Sequence, residues 1–159
     1  MMRRFVSLFA VSLLVVSLAA SSAADGWRVT AGAFWPTGGP EGADTGYAVG
    51  VSLPFHRGDR VDVRGAMRYV RYGVANGSDI ELWRPSIDIR WRLQDRPEVT
   101  IGPIVGAVFG HNTGGGNTFS IGWGAAAGIE WDRASIEVAW LLGAKSGEQG
   151  VALSAGWRF

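Results

Sequence analysis

Apolar and polar residues alternate along most of the chain after residue 26. This period of two is typical of β-strands whose two faces meet different surroundings, and no segment there keeps the 3.6-residue period of an amphipathic helix. The pattern predicts eight strands separated by turn-rich breaks. Their approximate ranges are 27–36, 45–55, 60–72, 82–93, 99–110, 119–131, 134–144 and 150–159.

The connections between these strands alternate in length. Three are short and have the composition of tight hairpin turns, and the other four are polar and mostly longer. The short ones are 56–59, 94–98 and 132–133, and the longer ones are 37–44, 73–81, 111–118 and 145–148. Long loops at one end, short turns at the other and both chain ends on the short side predict an all-β fold, an eight-stranded antiparallel up-and-down β-barrel.

The two faces of the predicted strands differ sharply. One face is apolar without a charge, as in Tyr47, Val49, Val51, Leu53 and Phe55. The other mixes glycines with charged residues: Arg28, Asp62, Arg64, Arg68, Asp88, Arg90, Arg92, Glu130, Glu137 and Arg158. About eight strands enclose only enough room for ordinary side chains, so the large apolar residues would overfill the interior. We therefore expect a transmembrane barrel with its apolar face toward lipid, in preference to a soluble barrel.

Aromatic residues recur eight positions apart within single strands, as in the pairs Trp27 and Trp35 or Trp83 and Trp91. At ~3.3 Å per residue and a tilt of about 40°, this spacing rises roughly 20 Å, close to the height of an outer-membrane apolar band. We therefore predict two aromatic girdles. Trp27, Trp91, Trp131 and Trp157 form one, and Trp35, Trp83 and Phe119 form the other.

The first 24 residues follow a different pattern. Arg3 and Arg4 precede an apolar run over 5–20, and small residues follow up to Ala24. This is the layout of a secretory signal peptide, and a retained membrane anchor is disfavoured by the small residues behind the run. We predict a signal peptide over 1–24 and one barrel domain over 25–159.

The net charge and the cysteine content exclude two kinds of site, one for nucleic acid and one built on thiols. The formal charge is +1, and removing Arg3 and Arg4 leaves 13 basic against 14 acidic residues, or −1. Such a chain has no basic field for nucleic acid, which we exclude as a partner. The chain has no cysteine, so an exported domain would have neither a disulfide nor a thiolate metal site.

The segment GVALSAGWRF at 150–159 alternates apolar and small or polar residues and ends in Trp157 and Phe159. It resembles the C-terminal signal of bacterial outer-membrane barrels, and the size and layout of 25–159 are similar to the small OmpX, Ail and OmpA-barrel group. The resemblance implies a multi-pass barrel in the lipid bilayer of the outer membrane, with periplasmic termini. It also implies that the outer-membrane assembly machinery recognises Trp157 and Phe159.

The hairpin of the third and fourth strands brings charges together inside the barrel. Aligning Tyr69 with Trp83 and Val61 with Trp91 sets the register of the hairpin. In that register Arg64 lies opposite Asp88, and Asp62 lies opposite Arg90. Charges removed from water persist when they are paired, and Glu137 enters from the seventh strand at about the height of Arg64. We therefore predict that an ionic cluster plugs the lumen, with a bridge across it. Its members are Asp62, Arg64, Asp88, Arg90 and Glu137.

Candidate catalytic residues are few. His56 and His111 fall at opposite ends of the predicted barrel, so they cannot share a metal or a proton relay. Ser135 and Ser154 face inward without a histidine to activate them. We predict no enzyme activity, cofactor or metal, and a structural or surface role. Two alternatives stay open: a narrow channel for ions or small solutes, and a binding or adhesion protein whose loops contact an unknown extracellular partner.

Overall fold

The computed structural model describes residues 26–39, 43–75, 77–145 and 147–159. Eight antiparallel strands form a closed barrel in chain order, so the predicted fold is confirmed. No helix in these ranges is long and apolar enough to span a bilayer. The predicted signal peptide lies outside the described residues. The strands are β1 (Arg28–Pro36), β2 (Gly46–Arg57), β3 (Val61–Gly73), β4 (Asp79–Asp95), β5 (Glu98–Asn112), β6 (Asn117–Trp131), β7 (Ala134–Gly143) and β8 (Gly150–Arg158).

Several strands are longer than predicted, and two of the expected long loops are short. Gly73 pairs with Asp79 and His111 pairs with Asn117, which reduces the connections 73–81 and 111–118 to 74–78 and 113–116. Ladder hydrogen bonds join backbone groups and need no apolar side chain. The alternation of apolar residues therefore marks only the middle of each strand and misses its polar ends.

The two ends of the barrel are named here for their connections. The turn end holds 58–60, 96–97 and 132–133 together with residues 26 and 159, and the loop end holds the described residues 37–39, 43–45, 74–75, 77–78, 113–116, 144–145 and 147–149. Large apolar side chains are exposed on the outer face along the whole barrel, for example Phe55, Ile121 and Trp140. Their inward neighbours along each strand are buried. The outward orientation of the apolar face is therefore as predicted.

The interior has two layers. Near the loop end, large apolar side chains fill the barrel; this apolar layer comprises Phe34, Val70, Tyr72, Leu82, Val108 and Leu141, each at most 2% exposed. Near the turn end, charged residues fill it. The sequence predicted a charged and small interior throughout, and the apolar layer corrects that expectation. These residues occupy the inward positions in the loop-end halves of their strands. The inward face is therefore apolar there, in place of charged.

Some inward glycines permit close approach of neighbouring backbones. A Cβ atom on Gly102 would lie 1.8 Å from the carbonyl oxygen of Ile89, and one on Gly32 would lie 1.9 Å from that of Leu153. No real side chain tolerates such distances, so glycine at these positions sets how closely β5 packs on β4 and β1 on β8.

Candidate functional site

The charged lumen is built on the β3–β4 hairpin, and its register is the predicted one. Val61 pairs with Trp91 and Tyr69 with Trp83, which places Asp62 across from Arg90 and Arg64 across from Asp88. All four charged side chains point inward, and each is at most 4% exposed. The closest ion pairs, however, do not follow this direct opposition, because long guanidinium groups reach diagonal neighbours and other strands.

Arg64 donates hydrogen bonds to carboxylates on two elements. Its Nη1 donates to Glu130 Oε1 at 2.8 Å, and its Nη2 donates to Asp62 Oδ2 at 3.2 Å. The other carboxylate oxygen of Glu130 accepts a hydrogen bond from Arg28. Glu130 therefore joins β1 and β3 to β6 across the turn-end part of the lumen.

A second group of charges lies beside the first. Asp88 Oδ2 accepts from Arg68 Nη2 at 2.5 Å and from Arg90 Nη2 at 3.0 Å. Glu137 accepts hydrogen bonds from the same two arginines. Its Oε2 lies 2.9 Å from Arg90 Nη2, and its Oε1 lies 3.4 Å from Arg68 Nη2. Two arginines and two carboxylates thus link β3 and β4 to β7.

The predicted bridge between Arg64 and Glu137 is wrong, because Arg64 pairs with a different carboxylate. The carboxylate that reaches Arg64 from across the lumen is Glu130 of β6, while Glu137 lies beside Arg68 and Arg90. Barrel strands tilt and are staggered from one to the next. Counting residues along β3 and β7 therefore does not give equal heights inside the barrel.

The structure brings the five predicted residues into two adjacent networks of ion pairs, together called here the ionic cluster. Its five arginines and five carboxylates balance to zero formal charge. Each arginine has a carboxylate oxygen within 4.0 Å. The members are Arg28, Asp62, Arg64, Arg68, Asp88, Arg90, Arg92, Glu98, Glu130 and Glu137. All but Glu98 stand in the inward charged series that the sequence identifies. Glu98 begins β5 beside the turn, where alternation gives no signal.

Little space remains around these side chains. One cavity of about 10 Å³ lies among Arg28, Arg64, Arg90 and Glu137, and another of about 10 Å³ lies between Arg84 and Leu141. Each holds about one water molecule. The Nε atoms of Arg28, Arg64 and Arg90 are buried without a protein partner, so a water is the fitting occupant of the first cavity.

The β7–β8 connection folds into the loop end of the barrel. The sequence places 145–148 in a polar surface loop, but Glu148 is only 2% exposed. Its carboxylate accepts hydrogen bonds from Ser120 and Thr118, and its carbonyl accepts from Arg84 Nη1 at 2.7 Å. The Tyr72 hydroxyl donates to the neighbouring Gly147 carbonyl. A glutamate in a glycine-containing polar loop carries no sequence signal for burial, so this feature was missed.

The remaining candidate residues stay apart. His56 is the next-to-last residue of β2, near the turn end, whereas His111 lies near the loop end with its Nδ1 2.7 Å from Asn117 Oδ1. Ser135 and Ser154 are buried in the lumen, as expected. Within the described ranges, no group of three His, Cys, Asp or Glu side chains is arranged to hold a metal ion.

The C-terminal strand closes the barrel against β1. Trp157 pairs with Val29, and the Phe159 amide donates to the Trp27 carbonyl at 3.0 Å. The Trp27 and Phe159 rings stack with centroids 4.3 Å apart. Both predicted signal residues therefore lie on the outer face at the turn end, at the seam where first and last strands meet.

Comparison with solved structures gives the same fold. The crystal structure of Ail, the attachment invasion locus protein of Yersinia pestis, matches with a TM-score of 0.56 at 17% identity, over 85% of this chain and 97% of Ail. Neisserial surface protein A matches with a TM-score of 0.55 at 18% identity, over 84% of this chain and 94% of that protein. No protein-family model and no curated protein matches the sequence. The chain therefore has the fold of the small eight-stranded outer-membrane barrels.

Proposed function

We propose that this chain, which has the fold of the small outer-membrane barrels, is an integral outer-membrane protein with a closed lumen and a structural or surface role without catalysis. The observation that carries the proposal is the ionic cluster, in which five buried or half-buried arginines meet five carboxylates. Removing these charges from water is costly unless each is paired. Charges that line an open aqueous channel need no such complete pairing.

The outer face supports a place in the bilayer. Large side chains such as Ile121, Phe119 and Leu93 are 60–67% exposed, and large apolar residues are exposed on every strand except β3, where the outward ones are half-buried. An apolar surface of this extent is far larger than a soluble monomer tolerates in water. An Ail structure was determined in a phospholipid bilayer nanodisc, which is consistent with a membrane setting for this fold. We place both termini and the turn end on the periplasmic side.

A narrow channel is the competing function, and the packing of the lumen argues against it. The lumen cavities of about 10 Å³ described above are too small for a hydrated ion, and the apolar layer lies between the ionic cluster and the loop end. In planar lipid bilayers, the folded protein should therefore produce no conductance steps. A porin inserted under the same conditions serves as the positive control. Reproducible steps from the purified wild-type protein would refute the closed lumen.

Binding of polyanions is not a function that this chain's loops support. Ail has been crystallised with the heparin analogue sucrose octasulfate. A sulfated ligand requires a basic surface. Among the described residues, the connections at the loop end contain one exposed basic residue, Lys145, and one exposed acidic residue, Asp44, so they form no basic surface. A role as a surface protein therefore rests on another, unidentified partner.

We further propose that the outer-membrane assembly machinery recognises the C-terminal strand through Trp157 and Phe159. Support comes from their position at the closing seam, where Phe159 stacks on Trp27. Deleting Phe159 should lower the amount of heat-modifiable folded protein in cells. Phe119→Ala is the matched control, since Phe119 is an equally exposed aromatic residue far from the seam. Normal folded yield after the deletion would contradict this role.

A further inference from the structure

A large open cavity lies at the turn end of the barrel, outside the ionic cluster. Its volume is about 700 Å³, and its walls come from the end of β2, the β6–β7 turn and the C-terminal residues. The residues that matter for its chemistry are Arg57, Arg133, Arg158, Trp131, Trp157 and Phe159. Its arginines, called here the cationic wall, and its aromatic rings, called the aromatic wall, make the lining amphipathic.

The cationic wall carries an excess of positive charge. None of the three guanidinium groups forms a salt bridge with any described residue, in contrast to every arginine of the ionic cluster. Arg158 donates to the Asp132 carbonyl oxygen, and the Asp132 carboxylate is the acidic side chain that lines the cavity. Three guanidinium groups against two negative groups, the Asp132 side chain and the backbone carboxylate of Phe159, leave an excess of positive charge that favours an anionic occupant.

The aromatic wall connects the cavity to the membrane surface of the barrel. Trp131, Trp157 and Phe159 are 45%, 49% and 55% exposed on the outer face, at the turn end of the barrel. Aromatic rings at this level are typical of the boundary between lipid headgroups and acyl chains. A molecule in the cavity would therefore have an apolar part along the rings and a charged part at the arginines.

We infer that this cavity binds an anionic phospholipid, with the phosphate diester held by Arg57, Arg133 and Arg158 and the glycerol and upper acyl chains against Trp131 and Trp157. Guanidinium groups bind phosphate oxygens in a bidentate manner. A zwitterionic headgroup would bring its own cation against the unpaired arginines. Free phosphate would leave the aromatic wall unused. The inference rests on the proposed membrane location.

The test uses the full-length folded protein, freed of lipid in detergent and then given equal amounts of phosphatidylglycerol and phosphatidylcholine with the same acyl chains. Native mass spectrometry measures which lipid stays bound. The wild type should retain phosphatidylglycerol with a preference of about tenfold or more, since each cation near an anionic lipid contributes about fivefold. The triple variant Arg57→Gln, Arg133→Gln, Arg158→Gln should lose that preference.

The matched control is Arg60→Gln, Arg96→Gln, which removes two exposed arginines of the same rim outside the cavity and should keep the preference. Arg133→Gln alone, in an exposed turn position, gives a weakened preference if the triple variant fails to fold. Quenching of tryptophan fluorescence by brominated phosphatidylcholine in vesicles separately reports membrane insertion. Insertion without lipid preference overturns the site alone, and absence of insertion overturns the membrane proposal. Displacement of the lipid by millimolar inorganic phosphate, or equal loss in the control, also overturns the site.

Discussion

Among single residues, Arg64 illustrates what a buried charge needs in order to remain in the fold. It is 4% exposed, and it donates to carboxylates of β3 and β6. Removing one partner of such a pair typically costs ~3–5 kcal/mol because the other charge remains buried and unpaired. The pair of Arg71 and Asp79 at the loop end is about 40% exposed, and surface pairs of this kind contribute about 0–1 kcal/mol.

We predict that Arg64→Ala lowers the free energy of unfolding by about 3–5 kcal/mol and that Arg71→Ala lowers it by less than about 1 kcal/mol. Urea unfolding of the protein in vesicles, followed by tryptophan fluorescence, measures both. A double-mutant cycle should give a coupling of about 1–3 kcal/mol between Arg64 and Glu130. Coupling between Arg64 and Glu137 should stay below about 0.5 kcal/mol. A larger coupling to Glu137 would contradict the observed arrangement.

The same residues show what a sequence can predict about this site. The opposition of Arg64 and Asp88 followed from the hairpin register, because alternation and a short turn fix which residues face each other. The partner Glu130 did not follow, since its height relative to Arg64 depends on the stagger accumulated over three intervening strand pairs. The register of one hairpin can be predicted from residues close in sequence. Contacts across the lumen depend on the geometry of the closed sheet.

Among the elements, the pairing of β4 with β5 depends on a glycine. Gly102 leaves no room for a Cβ atom, which would lie 1.8 Å from the Ile89 carbonyl oxygen. Gly102→Ala should therefore separate the strands and reduce the heat-modifiable folded fraction on gel electrophoresis, at a cost of about 1–3 kcal/mol. Gly73→Ala is the control, because its Cβ would meet no atom closer than 3.6 Å. Equal folded fractions for the two variants would show that this close approach is unimportant.

The β7–β8 connection is an element held by its own buried glutamate. Glu148→Ala removes the acceptor for Ser120, Thr118 and the Lys145 amide, so the connection should leave the barrel mouth. Trypsin should then cleave after Lys145 at least about tenfold faster, because local opening exposes the backbone. Asn112→Ala, which removes a bond within the β5–β6 connection, should leave this rate unchanged. An unaltered rate in Glu148→Ala would mean that the carboxylate does not hold the connection.

At the scale of the whole molecule, the barrel has an apolar outer face, and its interior is divided into the ionic cluster and the apolar layer. The eight strands, their order and the outward apolar face could be predicted, because a period of two over eight segments specifies both pairing and facing. The apolar layer and the buried Glu148 could not. Both depend on the height of each inward residue within the barrel. Alternation gives the face on which a residue lies but not its height.

The two aromatic girdles remain a prediction about the depth of the whole barrel. Single-tryptophan variants should be quenched most by lipids brominated close to the headgroup, with Trp91 and Trp157 near one surface and Trp35 near the other. A tryptophan introduced at Ile87, exposed on the outer face midway between Trp83 and Trp91, serves as the control and should be quenched most by lipids brominated near the bilayer centre. Trp91 or Trp35 quenched like the tryptophan of Ile87→Trp would contradict the girdles.

The division of the interior into an apolar layer and an ionic cluster has a consequence for tolerance to mutation. In the proposed closed barrel the two layers act as barriers in series, and an ion must cross both. An ion that enters where the charges have been disrupted still meets Phe34, Tyr72 and Leu82, where dehydration opposes its passage. A single substitution in either layer therefore weakens the fold without making the membrane permeable, and leakage requires that both layers fail together.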